Sequence, residues 1–263
     1  MNKRLVIMFS AIAAVVVIVV VCCVLFMVGS VGVETVIGLE LTDEQEAGVI
    51  AVSGISKGQS VFSIDESAAA NAIEKAYPTL AVVTIERIFP NKVDIKLASR
   101  TGVAAVAIAD ADHYAVVDRD LKIVGFAAGE ELDAKSLSLV EGYVVSGSDE
   151  QLLGAFLDTE KAGWLAEVID GAEQCRLTGV RLGEFAPRIV YIQGEEGQGA
   201  GMVTVVTVPG CDFKLPLDSD VSESFVAAYA TLERLFTDED GPHDVEGTIE
   251  RGDDGKWIFV SAV

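Results

Sequence analysis

The sequence has few basic residues and few of the side chains on which metal and histidine chemistry depend. Only 19 Lys and Arg stand against 41 Asp and Glu, which gives a formal net charge of −22. Nucleic-acid binding requires clustered bases, so this balance argues against a nucleic-acid partner. The chain has two histidines and four cysteines, and they do not follow the Cys/His spacing of a zinc site. No metal ion or other cofactor is therefore expected.

One long apolar run lies near the N-terminus. Leu5–Val28 holds 24 residues, of which only Ser10 is polar and none is charged. At ~1.5 Å per residue such a helix is about 36 Å long, enough to cross a hydrocarbon core of about 30 Å. Two bases lie in residues 1–4, so this tail is predicted to be cytoplasmic and the rest of the chain extracytoplasmic. A cleaved signal peptide, with an apolar core of about 7–15 residues, is the less favoured alternative.

Two cysteines, Cys175 and Cys211, follow the apolar run. An oxidising compartment outside the membrane permits them to form a disulfide. Sequence spacing does not show whether their Cβ atoms approach closely enough for that bond. Their pairing is therefore left open at this stage.

Residues 33–100 predict a small α+β module. The pattern comprises a strand, two helices and a hairpin of two strands, at Val33–Glu40, Thr42–Ala51, Glu66–Ala76, Leu80–Arg87 and Lys92–Leu97. Thr42 and Gln45 have the spacing of a capping box, and Asp65 is placed to cap the second helix. The order β-α-α-β-β predicts a three-stranded sheet that carries both helices on one face.

Several short blocks carry a resemblance to a known family. Within the module they are Gly54, Gly58, Val61–Asp65, Pro78, Val83–Arg87, Pro90 and Val93–Leu97. After it, three further blocks correspond to patterns of the same family. They are Ser99–Ala104 for Glu-Arg-x-Pro-Val-Ala, Tyr114–Asp118 for Tyr-x-Leu-Val-Asp and Leu137–Gly142 for Leu-Pro-x-Ile-x-Gly. Together they resemble the FtsQ-type POTRA domain and the domain that follows it in the FtsQ/DivIB family of bacterial division proteins.

Four positions depart from the family pattern. Ser99 stands in place of an acid, Gly102 and Ser138 stand in place of prolines, and Leu121 stands where a turn glycine is usual. The spacing between the blocks is kept, so the register of the resemblance survives these differences.

Residues 101–263 predict a second, β-rich α+β domain. Strands are expected at Val103–Ile108, Tyr114–Val117, Ile123–Phe126, Cys175–Leu182, Arg188–Gln193, Met202–Val208 and Phe213–Leu217. Ser148 and Gln151 have capping-box spacing and open a helical stretch to about Ile169. A C-terminal helix begins after Asp220, and a terminal hairpin closes the chain at Gly247–Glu250 and Lys256–Val263.

Three features of this domain invite other functions, but simpler interpretations are favoured. Gly194–Gly201 contains G-x-G-x-G, yet a strand follows it where a dinucleotide site needs a helix, so a hairpin loop is predicted. The four acids within residues 238–244 lack the spacing of an EF-hand. His113 and His243 have no recognisable nucleophile motif nearby, so no catalytic site is predicted. An extracytoplasmic enzyme remains a rival that requires some of these groups to converge in a pocket.

Without a catalytic constellation, protein–protein interaction is the favoured function. Exposed sheet edges recruit an extra strand through backbone hydrogen bonds. The terminal strand is the predicted docking edge, with Trp257 and Phe259 as aromatic anchors. The alternative is that this strand is internal and its aromatic side chains belong to the core. The predicted site residues are Lys256, Trp257, Ile258, Phe259 and Val260.

The family resemblance implies a more specific role. It implies a non-catalytic, single-pass membrane protein at the division septum that binds FtsB/DivIC-like and FtsL-like partners and links the machinery of septal wall synthesis. A second hypothesis is a membrane-anchored assembly or secretion factor whose POTRA module binds polypeptides.

Overall fold

The computed structural model describes residues 12–18, 20–21, 24–36, 39–194, 201–237 and 246–262. These residues form two units that divide after Arg100. The first unit contains strands β1 (Ser30–Thr35), β2 (Leu80–Ile88) and β3 (Lys92–Ser99), and helices α1 (Asp43–Val52) and α2 (Glu66–Ala76). The sheet order is β1-β3-β2, with β1 parallel and β2 antiparallel to β3. The predicted order β-α-α-β-β is confirmed.

Both helices of the first unit begin at the predicted caps. The Thr42 hydroxyl accepts a hydrogen bond from the Gln45 amide at 3.3 Å, and the Gln45 side chain accepts one from the Thr42 amide at 2.9 Å. The Asp65 carboxylate accepts a hydrogen bond from the Ala68 amide at 2.9 Å. These bonds satisfy amide groups that have no partner within the first turn of a helix.

A half-buried ion pair ties the end of the first unit to its helix α2. The Arg100 guanidinium lies 3.1 Å from Glu74 Oε2, and the two side chains are 10% and 20% exposed. Glu74 Oε1 also accepts a hydrogen bond from the Val82 amide at 3.0 Å. Arg100 is the arginine of the block at Ser99–Ala104, so this block joins α2 to the edge strand β2.

The second unit is built on one nine-stranded sheet. Its strands are β4 (Ala104–Ile108), β5 (His113–Val117), β6 (Ile123–Ala128), β7 (Ser138–Val145), β8 (Arg188–Ile192), β9 (Met202–Val206), β10 (Cys211–Pro216), β11 (Gly247–Arg251) and β12 (Trp257–Ser261). The strand order is β12-β11-β10-β9-β8-β7-β4-β5-β6. Its helices are α3 (Asp149–Leu152), α4 (Thr159–Gln174), α5 (Val180–Phe185) and α6 (Val221–Thr237).

Three segments of this unit differ from the sequence prediction. The helical stretch predicted from Ser148 to about Ile169 is interrupted, since α3 ends at Leu152 and α4 begins at Thr159. Strand β7 was not predicted, and the strand predicted at Cys175–Leu182 is wrong, since this segment begins just after α4, forms a turn and enters α5. The Leu177 amide donates to the Ala172 carbonyl at 2.8 Å, and Arg176 has a φ of 65°. This is a Schellman ending, whose left-handed position is usually glycine. Because arginine, and not glycine, occupies this position, the sequence carries no clear signal for the end of the helix.

Helices α4 and α6 cover one face of the sheet and enclose the main core. Gly171 of α4 meets α6 so closely that an added Cβ would lie 2.8 Å from Phe225 Cβ. Cys175 and Cys211 are free thiols in this structure, one half-buried and the other buried. Burial raises the pKa of each to about 11, so both thiols are protonated at neutral pH.

Leu121 is one of the departures from the family pattern, and the structure supplies its reason. Its φ is 61°, a left-handed conformation that normally favours glycine. The Asp118 carboxylate accepts hydrogen bonds from the Asp120 and Lys122 amides at 3.0 and 2.9 Å, which holds this turn. The Leu121 side chain is 2% exposed and joins the main core. Its apolar burial offsets the backbone strain of about 1–2 kcal/mol.

The predicted membrane-spanning run Leu5–Val28 lies partly outside the described residues. Within it, residues 12–18, 20–21 and 24–25 are helical. Among the residues that the structure describes, no helix is long and apolar enough to cross a membrane.

Candidate protein-binding edge

Strand β12 forms one edge of the nine-stranded sheet. It pairs antiparallel with β11, with Trp257 opposite Arg251 and Ser261 opposite Gly247. Within the part of the chain that the structure describes, β12 has no second strand neighbour. The predicted docking segment therefore lies where an additional strand would find room.

The hydrogen-bond register determines which backbone groups of β12 point outward. The Gly252 amide donates to the Lys256 carbonyl at 2.8 Å, and the Ala262 amide donates to the Glu246 carbonyl at 3.0 Å. Antiparallel ladders alternate between bonded and non-bonded pairs. Lys256, Ile258, Val260 and Ala262 therefore turn their backbone N–H and C=O groups toward β11. Trp257, Phe259 and Ser261 turn theirs away from the sheet.

The side chains of β12 alternate between the core and solvent. Trp257 and Phe259 are half-buried and pack against the main core. The Phe259 ring covers Gly247, where an added Cβ would lie 2.7 Å from a ring carbon. Both aromatic side chains predicted as anchors thus contact the domain's own core. The side chains that remain on the open face are Ile258 and Val260, each 44% exposed.

Lys256 lies in the turn before β12, not in the strand itself. Its ammonium is 3.3 Å from Asp254 Oδ2, and its side chain is 81% exposed. An ion pair this exposed contributes about 1 kcal/mol or less. Lys256 is therefore available to the solvent beside the open edge.

The opposite edge of the same sheet, β6, is partly covered by the chain itself. The Ile123 amide donates to the Ala155 carbonyl at 2.8 Å, and the Gly154 amide donates to the Ile123 carbonyl at 2.8 Å. Lys122 forms an isolated bridge with Phe156. Since these bonds occupy the start of β6, β12 is the more open of the two edges among the residues that the structure describes.

The sheet face next to Ile258 and Val260 carries both polar and apolar side chains. In register, Ile258 lies opposite Glu250 and Val260 lies opposite Thr248. Glu250 is paired with Lys214 of β10 at 3.1 Å. Ile258 and Val260 thus form a small exposed apolar surface beside the ion pair of Glu250 and Lys214. An added strand could bury this apolar surface.

Of the two histidines on which the enzyme hypothesis depends, His113 is engaged in other contacts and His243 lies outside the described residues. His113 Nε2 lies 3.0 Å from Asp149 Oδ1, and its ring meets Phe126 edge-on at 5.7 Å between centroids. His243, the acids within 238–244 and residues 195–200 of the glycine-rich loop lie outside the described residues. Among the described residues, no three His, Cys, Asp or Glu side chains are grouped to hold a metal ion.

We predict that His113 titrates above its ordinary pKa of 6.5, because its hydrogen bond to Asp149 favours the protonated ring, with a smaller contribution from Asp112. A raised pKa in the folded state stabilises the fold below pH 6.5, and that stabilisation is lost as the pH rises through the folded pKa. An NMR titration of the imidazole protons measures this pKa. The Asp149→Asn variant should titrate at a lower pH; the same or a higher midpoint in that variant would contradict the assignment.

Comparison with known proteins identifies the first unit. Residues 35–100 match the family model for the POTRA domain, FtsQ-type. The chain carries an FtsQ-type POTRA domain. It is also 34% identical over 92 residues to the cell division protein FtsQ of Corynebacterium glutamicum. The resemblance to the FtsQ/DivIB family that the sequence blocks indicated is thereby confirmed.

The match to this relative is partial in both proteins. It spans 35% of the present chain and 39% of the Corynebacterium glutamicum FtsQ. The chain thus spans less than half the length of this relative, and the family model covers residues 35–100 alone.

Proposed function

We propose that this chain is a non-catalytic scaffold of the bacterial division machinery. In this proposal Leu5–Val28 anchors it in the cell membrane, with a cytoplasmic N-terminus and both folded units outside. It would gather at the division septum and link the machinery of septal wall synthesis through protein contacts. The POTRA domain and the similarity to an FtsQ protein support the division role. The observation that carries the binding role is the open edge of β12.

The binding mode would be strand addition to β12. Trp257, Phe259 and Ser261 present their backbone N–H and C=O groups outward, and each hydrogen bond to a partner would contribute about 1 kcal/mol net. Ile258 and Val260 would bury their exposed aliphatic surface against the added strand, at about 25 cal/mol per Å². This combination favours an extended partner segment with apolar residues at alternate positions on the open face.

The family resemblance supplies the proposed partners. An FtsB/DivIC-like protein would provide the added strand, and an FtsL-like protein would join the same complex. The partner segment would need to lie outside the membrane, on the same side as β12.

The rival proposal, a POTRA-type factor that binds polypeptides, would use an edge of the three-stranded sheet. At β2 the Val82 amide already donates to Glu74, and the pairing with β3 is irregular between Val82 and Thr84. Occupied donors and bulges are features that hinder strand addition. The described geometry therefore favours β12 over β2 as the docking edge.

Imaging of the full chain tagged at its N-terminus tests the division role. Dividing cells of the source organism should show a band at the division site. A matched control is a tagged protein with the same apolar run but without residues 33–263, which should stain the membrane evenly. An even membrane signal from the full chain throughout the cell cycle would contradict the proposal and favour the assembly or secretion factor.

A further inference from the structure

Three phenylalanine side chains from separate segments meet on the surface of the first unit. Phe26 follows the helical residues 24–25, Phe62 lies in a 3₁₀ turn at Val61–Ser63, and Phe89 lies in the turn between β2 and β3. The ring centroids are 5.3 Å apart for Phe26 and Phe62, 5.9 Å for Phe26 and Phe89, and 5.6 Å for Phe62 and Phe89. We refer to these three residues as the phenylalanine patch.

The patch is open to its surroundings. Phe62 is 60% exposed and Phe89 is 57% exposed, although each touches two other aromatic rings. The neighbouring Met27 and Ile88 are 41% and 42% exposed. A contiguous exposed apolar cluster of this kind marks a surface that contacts a protein, a ligand or a membrane.

Backbone hydrogen bonds connect the patch directly to the apolar run. The Val61 amide donates to the Phe26 carbonyl at 2.9 Å, and Val28 exchanges hydrogen bonds with Gln59 and Gly58, each at 2.8 Å. The Gly29 amide donates to the Asn91 carbonyl at 2.7 Å. The last residues of the run are thus part of the folded unit, without an intervening linker. Val28 is itself 2% exposed and belongs to the core of that unit.

This continuity decides between the possible occupants of the patch. Phe26 belongs to the run Leu5–Val28. The rings of Phe62 and Phe89 both contact the ring of Phe26, with centroids 5.3 and 5.9 Å away. If the run crosses a bilayer, all three rings lie at the level where the chain leaves the hydrocarbon core. Apolar side chains at that level are buried about 5–10 Å into the boundary between headgroups and acyl chains.

We propose that the phenylalanine patch docks the POTRA unit onto the outer surface of the lipid bilayer. This proposal rests on the membrane anchorage given under the proposed function. The rings of Phe62 and Phe89 lie in the interfacial layer beside Phe26, and exposed Lys57 in the adjacent turn faces lipid phosphates. The unit is then held at the span and at two further points, which fixes its tilt relative to the membrane.

Quenching of tryptophan fluorescence by brominated lipid tests this contact. The full chain is reconstituted in vesicles of phosphatidylcholine and phosphatidylglycerol, with or without bromine near the headgroup end of the acyl chains. Phe62→Trp and Phe89→Trp place reporters in the patch, and the parent chain, with Trp164 and Trp257, gives the baseline. Val83→Trp is the matched control, because Val83 is 56% exposed on β2 but lies about six residues along the strand and turn from Phe89.

The expected result is a bromine-dependent loss of the added fluorescence at positions 62 and 89 that is severalfold greater than at position 83. Flotation of the vesicles on a density gradient reports anchorage independently. A chain that floats but shows no excess quenching at either patch position would overturn the proposal and leave the anchorage standing. A chain that fails to float would contradict the anchorage and overturn the bilayer contact together with it.

Discussion

Replacing Ile258 and Val260 together by aspartate is expected to weaken binding of the proposed FtsB/DivIC-like partner by about 100-fold or more. Each substitution removes aliphatic surface that strand addition would bury, at about 1 kcal/mol per side chain. The new carboxylates would also lose water on binding, and the one at position 258 would lie opposite Glu250. A total of about 3 kcal/mol corresponds to about 100-fold in the dissociation constant. Calorimetry with the full chain and the partner's extracytoplasmic segment measures this change.

Ile192→Asp provides the matched control for this pair. Ile192 lies in β8, four strands from β12 in the same sheet, and is 56% exposed. It should leave the dissociation constant within about threefold of the parent value, because surface substitutions outside a contact have effects of about 0.5 kcal/mol. Parent-like binding by a folded Ile258→Asp, Val260→Asp chain would refute docking at β12. Deleting residues 256–263 is a weaker test, since it also removes Trp257 and Phe259 from the core.

Replacing Gly142 by alanine is expected to destabilise the second unit by about 3 kcal/mol or more. Gly142 is the last residue of the family block at Leu137–Gly142, and its φ is 84°. An added Cβ would lie 2.0 Å from the carbonyl oxygen of Tyr191 in the neighbouring strand β8. Backbone on both sides of the clash must shift, which disturbs the pairing of β7 with β8. Urea denaturation, followed by tryptophan fluorescence, measures the loss.

Gly125→Ala is the control for this substitution. Gly125 lies in strand β6 of the same sheet, and an added Cβ there would have no heavy atom within 4 Å. Alanine in a strand is favoured over glycine by about 0.5–1 kcal/mol, so this variant should be as stable as the parent or slightly more stable. Equal free energies of unfolding for the two variants would contradict the steric clash inferred between a Cβ at position 142 and the Tyr191 carbonyl.

Local signals account for the elements that the sequence predicted well. The caps at Thr42 and Asp65 and the β2–β3 hairpin depend on residues within a few positions of one another, so the pattern was sufficient. Helix α6 begins at Val221, as the cap at Asp220 predicted, because the Glu223 amide donates to the Asp220 carboxylate at 3.0 Å.

Apart from local backbone features such as the Schellman ending at Arg176, the features that escaped prediction depend on distant residues. β7 pairs in parallel with β4 and β8, and β10 pairs in parallel with β11, so tertiary contacts across long connections determine their places. Which face of β12 packs against the core also depends on distant residues. Alternation placed Trp257 and Phe259 on one face and Ile258 on the other, but only the packing of α6 and β11 shows which face is covered.

Hydrogen exchange at the individual amides of β12 tests strand addition most directly. Without the partner, the amide hydrogens of Trp257, Phe259 and Ser261 should exchange quickly with solvent. Those of Ile258 and Val260 are already protected by their hydrogen bonds to β11. Saturation with the FtsB/DivIC-like segment should slow the first three amides by at least about tenfold, since a hydrogen bond worth about 1.4 kcal/mol changes the open fraction tenfold. Unchanged exchange at those three amides in the saturated complex would contradict docking at this edge.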